Sequence, residues 1–401
     1  IPYRCYVTPD LDNLLVGGRI ISSSHVANGT TRVMCTSALG GEVIGRAASI
    51  CLSKGYKPID LVDRDRIGLL QSLLVKNGNF IPGIAVAVED NLADSAEISV
   101  SSVLELDDLP ADGTWFGLDY PIAQLIPVNG KVPVVRMNVK ADNATRLVME
   151  LRSSSKSENY TPDTIDAVLE FDLKKDENEI VADYSYETPR YAFICLMKNP
   201  EISVPMSGRL DTGLTAVYNY INPAVSNFGK QVPPEGIGVE EFEFWCPKRR
   251  PEGKNFALRF TPAIAAFGAE QLRNYYFRPY LAPNGWAADI GDTAPELEIA
   301  WEEPRTFSQI RLFFDTDADH AMENVQMGHY DSVMPCCIRG YILSDDTGRE
   351  LAHTESNHQT VNTLTFSEPV TARGLRLRLM RPKGDVCPAL MGIIIESKTT
   401  K

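Results

Sequence analysis

Near Ala85 the apolar residues of this chain change their period, and that change constrains the fold more than any other feature. Before it, apolar positions recur at helical spacing; after it, they alternate in short segments separated by turn residues. From Asn13 to Gly18 a short apolar run ending in two glycines predicts a strand, and a helix follows from about Thr31 to Ser53. Inside that helix Ala38, Gly41, Gly45 and Ala48 fall on one face, where small residues predict a close neighbour. A second helix is predicted over Asp63–Lys76, with Ile67, Leu70, Leu73 and Leu74 on one side and Asn77-Gly78 as its stop. Pro82-Gly83 closes this part.

Beyond it, period-two segments predict strands at Thr145–Leu151, Ala167–Leu173, Glu179–Tyr186 and Tyr191–Met197. Asn222–Gly238, rich in Pro and Gly, reads as a linker, and Pro247–Gly253 as a charged surface loop. The alternation then resumes at Leu297, Ile299 and Trp301, at Ile310, Leu312 and Phe314, and at Leu375, Leu377 and Leu379 against Arg376 and Arg378. A chain of 401 residues with 44% hydrophobic content buries more than one core. The expected architecture is multi-domain: a short α/β segment over 1–84, a β-sandwich spacer over 85–225, and a linker with a second β-sandwich over 226–401. Both sandwiches are expected to be mainly antiparallel. The middle region carries no recognisable motif and reads as a spacer or oligomerisation domain.

A formal charge of -14 opposes a phosphate-tracking surface, so no nucleic-acid partner is expected. No apolar run approaches the ~18 to 20 residues of a membrane-spanning helix. The first residue is Ile1, inside what reads as structured sequence, so the true N-terminus is expected upstream. The eight cysteines show no C-x-x-C pair or zinc spacing and read mostly as buried thiols, the adjacent Cys336 and Cys337 included.

The opening segment carries the chemistry. It reads Ile1-Pro2-Tyr3-Arg4, then Asp12-Asn-Leu-Leu-Val-Gly-Gly-Arg19, then Ser22-Ser-Ser-His25-Val-Ala-Asn-Gly-Thr-Thr-Arg32-Val-Met34, then Gly40-Gly-Glu-Val-Ile-Gly-Arg-Ala-Ala48. This string resembles the C-terminal flavin-binding segment of FAD-dependent oxidoreductases of the glutathione-reductase type, nearest to a bacterial family with appended β domains. The resemblance implies that the glycine pair passes the ribityl chain and that the next helix points its N-terminus at the flavin. It assigns Gly17, Gly18, Arg19, Thr31, Arg32 and Val33 to FAD contact, and His25 and Arg32 to the substrate side as catalytic candidates. A helix N-terminus would stabilise negative charge on a reduced flavin, with Thr30 or Thr31 as its cap. A guanidinium at Arg32 suits a carboxylate substrate, and His25 suits proton transfer near neutral pH. The plainer readings are that the glycines end an ordinary strand, that Arg32 pairs with a carboxylate at a domain boundary, and that His25 hydrogen-bonds within the Ser22–Ser24 loop.

Two departures qualify the resemblance. The dinucleotide fingerprint Gly-x-Gly-x-x-Gly is absent, and Gly18-Arg19 stands where such proteins often have Gly-Asp. The expectation is a fragment without the N-terminal FAD-binding half, binding FAD weakly or not at all and inactive alone.

The last third resembles the discoidin-like, galactose-binding-like β-sandwiches, on Asn284-Gly-Trp-Ala-Ala288, Pro295-Glu-Leu-Glu-Ile-Ala-Trp301, Ile310-Arg-Leu-Phe-Phe-Asp315 and the pair Gly374–Met380 and Leu390–Glu396. The resemblance implies glycan or surface binding, with Trp286, Tyr275, Tyr276 and Tyr330 as aromatics for stacking and Trp301 in the core. Asp315-Thr-Asp-Ala-Asp319 has the opening of a calcium loop, but His320 and Gln326 stand where glycine and glutamate belong, so no metal site is expected. The expected protein is an FAD-dependent oxidoreductase fragment acting on an unknown carbohydrate-related or carboxylate small molecule. The alternative is a carbohydrate-binding or adhesion module with a vestigial flavin segment. The resemblance implies a periplasmic or secreted location in bacteria.

Overall fold

The computed structural model describes the chain apart from residues 87, 89, 129–131, 156–160, 185–189, 223–226, 229, 232–234, 236–241, 249–252, 317–335, 385 and 398–401. It divides into two compact units, Ile1–Glu89 and Asp90–Lys401. Tyr330 and the Asp319, His320 and Gln326 positions lie outside the described residues.

The first unit is a short α/β segment whose β part is one antiparallel bridge, Val7 to Leu15. The strand expected over Asn13–Gly18 is thus replaced by an extended passage into the 3-10 turn Gly18–Ile20. The helix expected over Thr31–Ser53 is α2 (Met34–Lys54), preceded by a separate short helix, α1 (His25–Thr31), in what reads as a polar stretch, and α3 spans Arg64–Lys76. Ser24 begins α1 by accepting from the Ala27 amide at 3.2 Å, so neither Thr30 nor Thr31 is a cap. Asp63 caps α3 by accepting from the Asp65 amide at 3.0 Å. Tyr3, Tyr6, Ala47, Leu61, Leu70 and Leu74 form the core of this unit. The close approach expected at Gly41 and Gly45 occurs elsewhere: a Cβ on either would meet open space, whereas one on Gly40 would lie 3.0 Å from the Tyr6 hydroxyl oxygen.

The second unit is built from antiparallel sheets. Two of them face each other around one core. In the first, Asn255–Phe256, Asn199–Ser207, Val134–Ala141, Leu258–Ile264 and Leu106–Leu109 lie side by side, with Trp115–Leu118 and Asp176–Ala182 also paired to it. The second runs Cys246–Pro247, Thr215–Tyr218, Ile122–Val128, Arg190–Leu196, Thr145–Ser153, Thr164–Leu173. The strands expected at Thr145–Leu151 and Ala167–Leu173 lie within these, the one expected over Glu179–Tyr186 ends at Ala182, and the one expected over Tyr191–Met197 ends at Leu196. Ile122–Val128 shows no alternation because both faces are covered, one by the shared core and the other by Phe193, Val217 and Trp245 around Ala123 and Leu125. Part of the expected linker is also paired: Ile221–Asn222 bonds to Asn227–Phe228, and Lys230–Gln231 to Phe242–Glu243.

The remaining sheet orders Trp286–Ala287, Ala389–Glu396, Glu296–Phe314, Val361–Met380, Gly340–Asp345 and Glu350–Thr354, with Glu97–Val100 added along Leu297–Ala300. The strands Glu296–Phe314 and Val361–Met380 slip register between Ala300 and Arg305 and between Phe307 and Gln309. Bulges of this kind bend a long strand, letting it border both layers of a sandwich. Leu297, Ile299, Trp301, Ile310, Leu312, Leu375, Leu377 and Leu379 point into its core, as their alternation predicts.

None of the eight cysteines is in a disulfide. Cys336 and Cys337 sit in a turn and are both buried, and burial, with Asp315 adding to it, pushes the Cys337 thiol up to about 12. Such a thiol is not a nucleophile at neutral pH.

Candidate functional site

The residues named for a flavin lie where α1, α2 and the 3-10 turn Gly18–Ile20 pack together. Both glycines have local reasons. A Cβ on Gly17 would lie 2.7 Å from the Ile44 Cδ1 methyl, so Gly17 lets this passage press against α2. Gly18 has φ +69°, a left-handed conformation that L side chains enter at a cost, and nothing lies within 4 Å of a Cβ built there. The backbone at Gly18 is therefore open to an approaching group.

The chain then turns through α1 into α2. Val33 is the residue before α2 and offers no side-chain acceptor to the helix's first amides. Arg32, Val33, Met34 and Cys35 are exposed, so the positive end of a 21-residue helix opens to solvent, and the N-cap residue Val33 makes no side-chain cap bond to it. Thr31 is buried, and its carbonyl accepts from the Ser37 hydroxyl at 3.3 Å. Arg19 is exposed within its 3-10 turn.

His25 is the first residue of α1 and Arg32 its C-cap. Two helical turns separate them, which places them on the same side but about 10 Å apart at the usual rise per residue. Both are exposed. Among the described residues Arg32 has no carboxylate partner, and the hydroxyl of Ser24 is engaged with Ala27 rather than His25.

In the second unit the aromatics named for stacking part ways. Trp286 is fully buried, and its indole N–H donates to the Ser102 carbonyl at 2.8 Å, which removes it as a ligand platform. A tryptophan in this strand pairs with Leu390 and faces the core, so its size is spent on packing. Tyr275 and Tyr276 are partly exposed, and Tyr276 packs at 5.2 Å from the Tyr280 ring. The Tyr275 hydroxyl also accepts from Asn91 Nδ2 at 3.1 Å. Trp301 is in the core, as expected, with its N–H on the Leu92 carbonyl at 2.8 Å. No group of three or more metal-ligating side chains comes together among the described residues.

Sequence reading assigned no residue of the middle region to a site. The structure gathers Phe116, Tyr120, Tyr218 and Tyr220 there, with the Lys248 ammonium over three of the rings. Nearby in the same unit, Arg209 bridges the buried Asp211 carboxylate at 2.9 Å and the Cys387 thiol at 3.6 Å. Burial pushes the Asp211 carboxyl up and Arg209 opposes that shift.

The model of the FAD dependent oxidoreductase family matches residues 1–74. Among solved structures, the family 32 carbohydrate-binding module from Streptococcus pneumoniae EndoD is similar at 15% identity and a TM-score of 0.26, over 34% of this chain and 88% of that one. The family 32 module of C. perfringens NanJ in complex with galactose is similar at 14% identity and 0.24, over 33% and 86%. Chitosan-binding module 1 from a chitosanase/glucanase of Paenibacillus sp. IK-5 gives 14% and 0.24, also over 33% and 86%. No curated protein matches the chain. Among the described residues no helix is long and apolar enough to cross a membrane.

Proposed function

We propose that the first unit supplies the ring-facing part of an FAD-dependent oxidoreductase site, with Gly17, Gly18, Arg19, Thr31, Arg32 and Val33 beside the cofactor. One observation carries this reading: the oxidoreductase family match, residues 1–74, falls inside the compact unit Ile1–Glu89. The local geometry suits one edge of a flavin. Gly18 leaves its backbone open, and the first amides of α2, which the Val33 side chain does not cap, favour negative charge. Thr31, being buried, would take part through its backbone. The same residues do not suit the pyrophosphate, because the chain has no Gly-x-Gly-x-x-Gly turn to wrap it.

When bound, FAD supplies hydride acceptance. The protein's own part would be to hold and orient: Arg32 clamps a substrate carboxylate, and His25, about 10 Å away along α1, exchanges a proton at the other end. The C-terminal sandwich would tether the enzyme to a glycan or surface through its loops, with Tyr275 and Tyr276 as the aromatics still within reach.

Amide NMR of the chain titrated with FAD tests the reading even at weak affinity. Shifts should concentrate at residues 17–19 and 31–36, and Arg32→Ala should weaken carboxylate binding there more than it weakens FAD binding. Shifts scattered over the sandwiches, or none in the first unit at saturating FAD, would leave glycan recognition as the surviving reading, which a glycan array would then probe.

A further inference from the structure

At one edge of the middle sandwich four aromatic rings come together from two distant stretches of sequence. Phe116 and Tyr120 lie 5.5 Å apart, edge to face; Phe116 and Tyr218 lie 5.6 Å apart; Tyr120 and Tyr220 lie 5.6 Å apart at a tilt of 39°. Tyr218 is the floor, 1% exposed, while Phe116, Tyr120 and Tyr220 remain partly open. Lys248 follows the edge strand Cys246–Pro247, which pairs with Val217 and Tyr218 and so carries the lysine back over the cluster. Its Nζ stands 4.8 Å from the Tyr218 centroid, 5.0 Å from Phe116 and 5.9 Å from Tyr120.

Ring faces attract the charge but accept none of its N–H groups well, and a lysine ammonium has three of them. Among the described residues Lys248 has no carboxylate, hydroxyl or carbonyl partner. Three other cations of this sandwich are paired: Arg146 with Glu170 at 2.7 Å, Lys254 with Asp112 at 2.7 Å, and Arg259 with Glu179 at 2.6 Å. In a chain of net charge -14 an ammonium held by rings and spared a carboxylate is prepared for an acceptor from outside.

The rings also limit the ligand's shape. Phe116, Tyr120 and Tyr218 meet edge to face and Tyr220 is tilted by 39° against Tyr120, which leaves no parallel slot for a flat molecule to insert, but their outer faces can bear the C–H face of a puckered ring. We propose that this cluster binds a carboxylate-bearing sugar, a uronic acid residue, with its ring on Tyr120 and Tyr220 and its carboxylate on Lys248 Nζ. The protein's negative charge does not forbid this, because repulsion from carboxylates beyond about 8 Å is screened at physiological salt. It does select for one acidic residue at the cluster rather than a long polyanion.

The test is calorimetric titration of the full chain with trigalacturonic acid, its methyl ester and neutral galactotriose. The acid should bind, and the ester and neutral sugar should bind at least about ten-fold more weakly, a difference of about 1.4 kcal/mol. Lys248→Met, which keeps the aliphatic stem, should erase that preference while leaving residual binding, and Tyr120→Ala should weaken all three sugars. Raised salt should weaken the acid alone. Equal binding of acid and ester, absence of binding to the unmodified chain, or a Lys248→Met protein that loses thermal stability but keeps the acid preference would each overturn the proposal. FAD-induced shifts at residues 17–36 report on the other unit, so failure here and failure of the flavin reading are separable.

Discussion

At the scale of single residues, two positions show how a local requirement is met without a ligand. Gly18 adopts φ +69° with open space where a side chain would point. Gly18→Ala should therefore cost about 1 kcal/mol from conformation alone, measured as a lowered denaturant midpoint of the first unit. An unchanged midpoint would show that the turn relaxes. Asp345 is the acceptor of a tight hairpin: it takes bonds from the Thr347 hydroxyl at 2.6 Å, the Thr347 and Arg349 amides at 3.0 Å and the Arg349 guanidinium at 2.9 Å. Burial by itself raises this carboxyl, but those donors outweigh it and hold it below the usual carboxylate range. A depressed carboxyl stabilises the fold above its unfolded pKa, about 4, and that stabilisation is lost as pH falls through the folded value. Asp345→Asn should cost about 1–3 kcal/mol at neutral pH, and thermal melts should show the gap to wild type narrowing below about pH 4. The residues proposed to face a flavin could be named from the sequence because their string is continuous, and the family match covers it. The Lys248 cluster was not, since Phe116 and Tyr120 meet Tyr218 and Tyr220 only after strands have paired.

At the scale of elements, alternation was readable wherever one face meets solvent. In Val361–Met380 the residues Leu375, Leu377 and Leu379 are buried, while Arg376 and Arg378 lie outside against Glu296 and Glu298. Leu377→Ala should cost about 2–5 kcal/mol, because a core cavity does not fully collapse. Arg376→Ala should have a small effect that disappears in high salt, since its 2.6 Å contact with Glu298 is exposed. Paired chemical melts at low and high salt check both. Where the second face is also covered, the pattern misleads. In Glu296–Phe314 the outward Phe313 stacks on Phe277 at 3.9 Å and Arg311 is buried beside Glu396 at 3.0 Å. Helix α1 was not legible for a different reason: its residues His25–Thr30 are all exposed and give no apolar period, and the backbone turn at Val33 separates it from α2.

At the scale of the whole molecule, two compact units with separate cores should unfold separately. Calorimetry should resolve two transitions, and Leu70→Ala, in the core of the first unit, should lower one of them and leave the other in place; a single transition moving as a whole would contradict this. The sequence by itself determined the passage from helical to period-two spacing near Ala85, the antiparallel sandwiches and the opening string, because periodicity and local motifs are properties of neighbouring residues. Only the tertiary structure decided strand partnership. Glu97–Val100 crosses to join Leu297–Ala300, and Leu258–Ile264 lies between Val134–Ala141 and Leu106–Leu109. It also decided that Trp286 is core and that Lys248 stands over a ring cluster. Backbone ladders carry the same donors and acceptors in every strand, so which edges meet is settled by side-chain packing across the finished sheets, far from the residues that form each strand.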